Sequence, residues 1–141
     1  MKARGIFPEN QASNHKNRKF KMKIALTTAG SSIDDTLESR FGRSPKFIIY
    51  DTDSRVSEVL DNNVNMNAAQ GAGIQTAMNV IKAGAQAVIT GHCGPKAFNL
   101  LKNAGIAVYL VESVPLSKAI ELFQSNSLQK QESADVDGHW K

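Results

Sequence analysis

A histidine and the only cysteine of the chain stand side by side in the turn "TGHCGP", residues 90–95, at the end of the apolar run "AQAVIT". Imidazole and thiolate bind soft and borderline metals, and a thiolate is also a nucleophile. Pro95 is typical of a helix start, and a thiol near a helix N-terminus is expected to have a lowered pKa. Because adjacent side chains point in different directions, we expect only one of His92 and Cys93 to face a ligand.

Two other loops have residues suited to binding an anion. The stretch "RFGR" places Arg40 and Arg43 on either side of a Phe-Gly pair, and "QGAGIQ" opens a predicted helix. Glycine allows the backbone to approach a ligand closely, and the unpaired amides of a helix N-terminus attract negative charge. Guanidinium groups add fork-shaped donors. The combination favours an anion as the ligand.

Several other kinds of site fit these residues poorly. A structural zinc site needs more thiolates or a second pair of histidines, and a Cys-His dyad needs a third group to orient its base. A two-metal nuclease needs carboxylates over the central strand, and "KIALTT" has none. Two alternatives stay open: an enzyme acting on a phosphorylated or thiol-reactive small molecule in the same site, and a module that docks on a partner protein.

The surrounding pattern predicts the elements that bring these loops together. Apolar runs predict five strands, helical spacing predicts three helices, and a short helical turn is expected at 35–39. The strands are expected at 23–28, 46–51, 55–62, 86–90 and 106–112, and the helices at about 72–83, 95–105 and 115–125.

These elements predict an α/β fold with a five-stranded mixed sheet in the order 3-2-1-4-5. Right-handed crossovers make strand 2 the only antiparallel strand, and helices flank both faces. In such a sheet, ligands bind at the carboxyl ends of the strands where neighbouring connections diverge. We therefore expect a crevice at the ends of strands 1 and 4.

The positive charge of the chain lies mainly in its first residues. Residues 1–21 contain six Lys or Arg and one acidic residue, whereas the rest of the 141-residue chain contains 11 basic and 12 acidic residues. We expect 1–21 to be a basic, disordered N-terminal extension and 22–141 to form a single α/β domain that binds no nucleic acid. A single cysteine and the lack of a membrane-length apolar run favour a cytoplasmic location and no membrane association.

Five separated motifs occur in order along the chain: "RFGRSPKFIIYD", "NAAQGAGIQTA", "VITGHCGPKAF", "AGIAVYLVE" and a terminal "GHW". This combination resembles the dinitrogenase iron-molybdenum cofactor biosynthesis family, which includes orange-protein-like standalone domains and nitrogenase cofactor carriers. The resemblance covers roughly residues 22–141 and implies a ribonuclease H-like sheet. It also implies a non-enzymatic role, in which the chain binds or carries an anionic metal-sulfur cluster or an iron-molybdenum cofactor precursor.

The resemblance also indicates which residues of the three loops form the site. The expected metal ligands, His92 and Cys93, come from their side-chain chemistry rather than from the resemblance, and ligand softness admits molybdenum, copper or iron. The expected partners are the cluster or its precursor and a protein that donates or accepts it. The expected cofactor-binding residues are Gly30, Arg40, Phe41, Gly42, Arg43, Gly71, Gly73, Gly91 and Gly94.

Overall fold

The structure is a computed structural model that describes residues 22–63 and 71–132. The predicted N-terminal extension and the terminal "GHW" lie outside these residues, so the domain boundaries stay predictions. The strands are β1 (Lys23–Thr28), β2 (Lys46–Asp51), β3 (Ser57–Asp61), β4 (Ala87–Thr90), β5 (Ala107–Leu110) and β6 (Gln129–Lys130). The helices are α1 (Ala72–Lys82), α2 (Pro95–Asn103) and α3 (Leu116–Gln124), together with a 3-10 turn at Phe41–Arg43.

The strands of the described residues form one sheet in the order β3-β2-β1-β4-β5-β6. Strands β1, β4 and β5 are parallel, and β2 is antiparallel to both β1 and β3. The predicted order of the first five strands is therefore confirmed. The ribonuclease H-like assignment stays a prediction.

Two predicted features of the fold are wrong. The sheet has six strands rather than five, and β6 pairs antiparallel with β5, so strand 2 is not the only antiparallel strand. Strand β6 has only two residues, both polar and exposed, which give no apolar signal in the sequence. The helical turn expected at 35–39 forms instead at Phe41–Arg43, because Thr36 and Leu37 form β-bridges to Pro115 and Thr28.

Helices cover both faces of the sheet, as the sequence predicts. On one face, α1 and α2 pack against side chains such as Ala25, Phe47 and Val88. On the other face, α3 packs against side chains that include Ile24 and Ile89. Burying each large aliphatic side chain stabilises the fold by about 1.5 to 3 kcal/mol. No helix of the described residues is long and apolar enough to cross a membrane.

A buried asparagine connects the loop after β1 with α1. The Asn62 side chain is 1% exposed, and its Nδ2 donates to the carbonyl oxygen of Ser44 at 2.9 Å and to Oγ1 of Thr76 at 3.0 Å. Its Oδ1 accepts a hydrogen bond from Nδ2 of Asn79 at 3.1 Å. Since Ser44 directly follows Arg43, this network fixes the arginine loop relative to the middle of α1.

Replacing Asn62 with Ala should lower the free energy of unfolding by about 1 to 3 kcal/mol, because buried polar groups lose their partner. Urea denaturation followed by circular dichroism measures the change. The matched control is Asn63→Ala, one residue along and exposed, which should change the stability by less than about 0.5 kcal/mol. Equal effects of the two substitutions would contradict the role of the network.

Candidate anion-binding crevice

Loops from three parts of the chain meet at the carboxyl ends of β1 and β4 and enclose a crevice of about 540 Å³. The 3-10 turn after β1 forms one wall, and the N-termini of α1 and α2 form the others. Its lining residues are Arg40, Phe41, Gly42, Arg43, Gly71, Ala72, Gly73, Ile74, His92, Gly94, Pro95, Lys96 and Ala97. The crevice lies where the order of the sheet predicts a ligand site.

Phe41 anchors the arginine loop to the rest of the fold. Its side chain is 1% exposed, and its ring packs edge-to-face against Phe47 of β2, with ring centroids 5.5 Å apart. Its backbone N–H donates to the carbonyl oxygen of His92 at 3.0 Å. This hydrogen bond joins the loop after β1 to the loop after β4, so the residues on either side of Phe41 are held at the crevice.

Glycines allow the walls of the crevice to come close together. A Cβ atom on Gly42 would lie 3.1 Å from the Cα of Gly73, and a Cβ on Gly73 would lie 3.5 Å from the Cβ of Ala97 in α2. Gly71 caps the N-terminus of α1 with a φ of +73°, a conformation that side-chain-bearing residues rarely adopt. These positions bring the 3-10 turn and the starts of both helices into contact.

The crevice has a positive electrostatic character. The N-cap positions of α1 and α2 are Gly71 and Gly94, and neither helix has a side-chain cap or an acidic residue in its first turn. The first amides of each helix have no acceptor within the helix and carry the positive end of its dipole. Arg40, Arg43 and Lys96 add three cations, and none of the described residues that line the crevice is acidic. This arrangement is suited to binding an anion.

The structure places eight of the eleven predicted site residues on the crevice: Arg40, Phe41, Gly42, Arg43, Gly71, Gly73, His92 and Gly94. Gly30, Gly91 and Cys93 lie elsewhere. Gly30 packs against the side chain of Asp35, which accepts hydrogen bonds from the amides of Ser31 and Ser32. Gly91 packs against the backbone of Ser39, where an added Cβ would lie 2.7 Å from the carbonyl oxygen.

Cys93 belongs to the hydrophobic core rather than to the crevice. Its side chain is 1% exposed and lies in the core cluster that includes Ala97 and Phe98. Burial raises the pKa of the thiol from 9.0 to about 12, because desolvation disfavours the thiolate. The prediction of a lowered pKa is therefore wrong. His92 is half-buried and lines the crevice, so the two adjacent side chains do point to different environments.

The site residues predicted from the sequence do not include Lys96. Lys96 is the second residue of α2, and its side chain is exposed at the crevice. The signal was present in the sequence, because a lysine directly after "GHCGP" must lie in the first turn of the helix that Pro95 begins. Ala72, Ile74 and Ala97 were also missed, and nothing in their side-chain chemistry distinguishes them from core residues.

Residues 22–126 match the protein family described as "Dinitrogenase iron-molybdenum cofactor". The chain belongs to this family. An uncharacterized protein of Methanocaldococcus jannaschii is 30% identical over 113 residues, which cover 77% of this chain and 95% of that protein. The motif-based recognition is confirmed.

Solved structures of similar proteins support the assignment to the dinitrogenase iron-molybdenum cofactor family. The apo form of the orange protein from Desulfovibrio gigas has a TM-score of 0.78 and 32% identity, with 80% of this chain and 95% of that chain covered. A Thermotoga NifB-like protein of the DUF35 family has a TM-score of 0.69 and 31% identity, with coverage of 77% and 92%. The fold of the aligned part of the chain is thus shared with both relatives.

The burial of Cys93 predicts a slow reaction with a thiol reagent. A pKa of about 12 leaves a thiolate fraction near pH 8 roughly a thousandfold below that of an ordinary thiol. Labelling of the folded protein with 5,5′-dithiobis(2-nitrobenzoate) should be at least about a hundredfold slower than labelling of glutathione. The same protein in urea should react at a rate close to that of glutathione. Fast labelling of the folded protein would contradict the burial.

Proposed function

We propose that the crevice binds an anionic metal-sulfur cluster or an iron-molybdenum cofactor precursor, and that the chain carries this cargo without transforming it. One observation carries the proposal: the uncapped N-termini of α1 and α2 open onto the same crevice as Arg40, Arg43 and Lys96. Family membership supplies the chemical class of the anion.

Size and charge of the crevice support a polyatomic cargo. Sites for small molecules typically have volumes of about 300 to 1,000 Å³, and the volume of about 540 Å³ lies within this range. Each helix N-terminus stabilises a nearby anion by about 0.3 to 1 kcal/mol when exposed, and by up to about 2 kcal/mol when partly buried. Three cationic side chains add to this attraction, which suits a cargo with several negative charges.

The side chains available for coordination indicate how the cargo is held. Among the described residues lining the crevice, His92 is the only conventional metal ligand, since the others are Arg, Lys, Gly or apolar residues. The described residues contain no group of three or more His, Cys, Asp or Glu that could hold a metal ion. A cargo that brings its own sulfide ligands fits these described residues, with charge and amide hydrogen bonds providing most of the affinity and His92 one bond. Cys93 is not proposed as a ligand, because its thiol lies in the core.

The residues that line the crevice support carriage of a cargo rather than catalytic turnover of a substrate. A nucleophilic mechanism needs an activated nucleophile with an oriented base, and acid-base catalysis needs groups poised near the reacting atoms. The described lining residues include no carboxylate, hydroxyl or thiol facing the crevice. Its charged groups are suited to holding an anion, and the backbone amides are fixed donors that need no proton transfer.

Metal analysis and an ultraviolet-visible spectrum of protein purified without air test the proposal. Both are repeated after addition of tetrathiomolybdate with copper, or of iron with sulfide. A stoichiometric metal with sulfur-to-metal charge-transfer bands is expected under at least one condition. Protein that stays colourless and takes up no metal under every condition would contradict the proposal.

The double variant Arg40→Ala/Arg43→Ala should bind tetrathiomolybdate at least about tenfold more weakly, because two charge-assisted contacts to the anion are lost. The loss should shrink as salt is added, because the ions screen exposed charges. Titration followed by the charge-transfer bands gives the affinity.

Controls separate the roles of the neighbouring side chains. Lys118→Ala removes an exposed cation on α3, away from the crevice, and should leave the affinity unchanged. Cys93→Ala should leave the spectrum of the bound cargo unchanged, whereas His92→Ala should shift it if the imidazole bonds to the metal. A spectrum altered only by Cys93→Ala would overturn the proposed arrangement.

A further inference from the structure

Basic and acidic side chains are equal in number among the described residues, but they lie in different parts of the chain. The described residues contain ten Lys or Arg and ten Asp or Glu. No acidic residue occurs from Asn62 to Val111, the stretch that forms α1, β4, α2 and β5. The two helices beside the crevice therefore carry only basic and uncharged side chains, and all carboxylates belong to other parts of the chain.

The exposed residues of α1 and α2, two helices on the same side of the sheet, are here called the basic face. Both helices pack on the same side of the sheet, and they touch where Gly73 meets Ala97. Their exposed residues recur at helical spacing, opposite the buried ones. The basic face consists of Gln75, Met78 and Lys82 on α1 and of Lys96, Asn99 and Lys102 on α2.

The lysines of the basic face are available to a partner. Within residues 22–63 and 71–132, Lys82, Lys96 and Lys102 form no ion pair, whereas Lys118 pairs with Glu121 on α3 at 3.6 Å. Lys96 belongs to both the basic face and the crevice lining. Lys102 shares a surface pocket with Lys130 and Glu132, so this part of the surface keeps a net positive charge, which attracts an acidic partner and repels a basic one. A partner seated there lies beside the crevice entrance.

An exposed methionine on the basic face favours a protein as the partner. Met78 is 47% exposed and is one of three large hydrophobic side chains that the described residues expose, the others being Val56 and Val59. Methionine adapts to varied apolar contacts, and an apolar contact within a charged rim is typical of protein interfaces. The basic face has no aromatic residue on which nucleic-acid bases could stack.

We propose that the basic face is a docking surface for an acidic protein with an apolar contact residue, which delivers the anionic cargo to the crevice or receives it. The partner's role as donor or acceptor of the cargo rests on the proposed carrier function. The surface itself rests on the separation of charge and on the exposure of Met78. A cationic surface beside an anion site suits transfer, because the partner's carboxylates and the cargo are attracted to adjoining parts of the same molecule.

The test uses a fluorescein-labelled helical peptide, with glutamates around one central leucine, and fluorescence anisotropy of the complex with the cargo-free protein. Lys82→Glu/Lys102→Glu should weaken binding at least about tenfold, because two attractive charges become repulsive. The matched pair Lys23→Glu/Lys118→Glu makes the same change in net charge at exposed positions outside α1 and α2. It should weaken binding less than about twofold. Thermal unfolding of each variant checks that it is folded.

A double-mutant cycle tests the apolar contact. Replacing the leucine of the peptide with serine should weaken binding to the wild-type protein, and this preference should vanish in Met78→Ser. The inference is overturned if the wild-type protein does not bind the peptide at low salt, if both charge-reversal pairs act equally, or if Met78→Ser keeps the preference for leucine. The inference is also overturned if a labelled single-stranded DNA binds more tightly than the peptide and Lys82→Glu/Lys102→Glu weakens that binding.

Cargo binding is measured separately so that the two proposals can fail independently. Neither Lys82 nor Lys102 lines the crevice, so Lys82→Glu/Lys102→Glu should take up tetrathiomolybdate as the wild-type protein does. If the wild type takes up no anion but the peptide results hold, the carrier function fails and the docking surface stands. If uptake is normal and the peptide results fail, only the docking surface is excluded.

Discussion

Two helix N-termini without side-chain caps open onto one crevice, and the rest of the site depends on this arrangement. A typical N-cap is Ser, Thr, Asp or Asn, whose side chain accepts a hydrogen bond from the first turn. Here both N-caps are glycines, Gly71 and Gly94, so no N-cap side chain accepts from the first-turn amides, which in α2 begin at Lys96 because Pro95 has no N–H. Glycine at an N-cap costs only about a few tenths of a kcal/mol relative to those residues. The two glycine N-caps therefore cost the fold little stability.

This arrangement requires backbones to lie close together, and several interactions hold them there. Gly42 allows the 3-10 turn to approach α1 closely, since an added Cβ would lie 3.1 Å from the Cα of Gly73, while Phe41 fixes the turn to the core. Asn62 joins the arginine loop to α1 through buried hydrogen bonds. The donors are thus set in position before any anion arrives, which reduces the ordering cost of binding. Arg40, Arg43 and Lys96 are exposed by contrast, and they supply charge rather than rigid geometry.

The sequence predicts the positions of the loops better than the directions of individual side chains. Buried apolar runs and right-handed crossovers predict the order of five strands, and the order predicts that the three loops meet. Strand β6 escapes detection because two exposed polar residues carry no pattern. Cys93 is predicted at the ligand because it precedes a helix. The dihedral angles of the turn decide which of the adjacent side chains, His92 or Cys93, faces the crevice and which faces the core. Desolvation then reverses the expected pKa shift of the thiol. Gly30 and Gly91 lie in the predicted loops, but they pack against Asp35 and Ser39 and do not line the crevice.

The central claim is that an anionic cluster lies between the N-termini of α1 and α2. Anomalous X-ray diffraction at the molybdenum edge, from crystals of the protein loaded with tetrathiomolybdate, locates the metal directly. An anomalous peak is expected within the crevice, close to the first-turn amides of the helices that begin after Gly71 and Gly94 and beside Arg43. A peak at another position in crystals whose spectrum shows bound thiomolybdate would contradict the account.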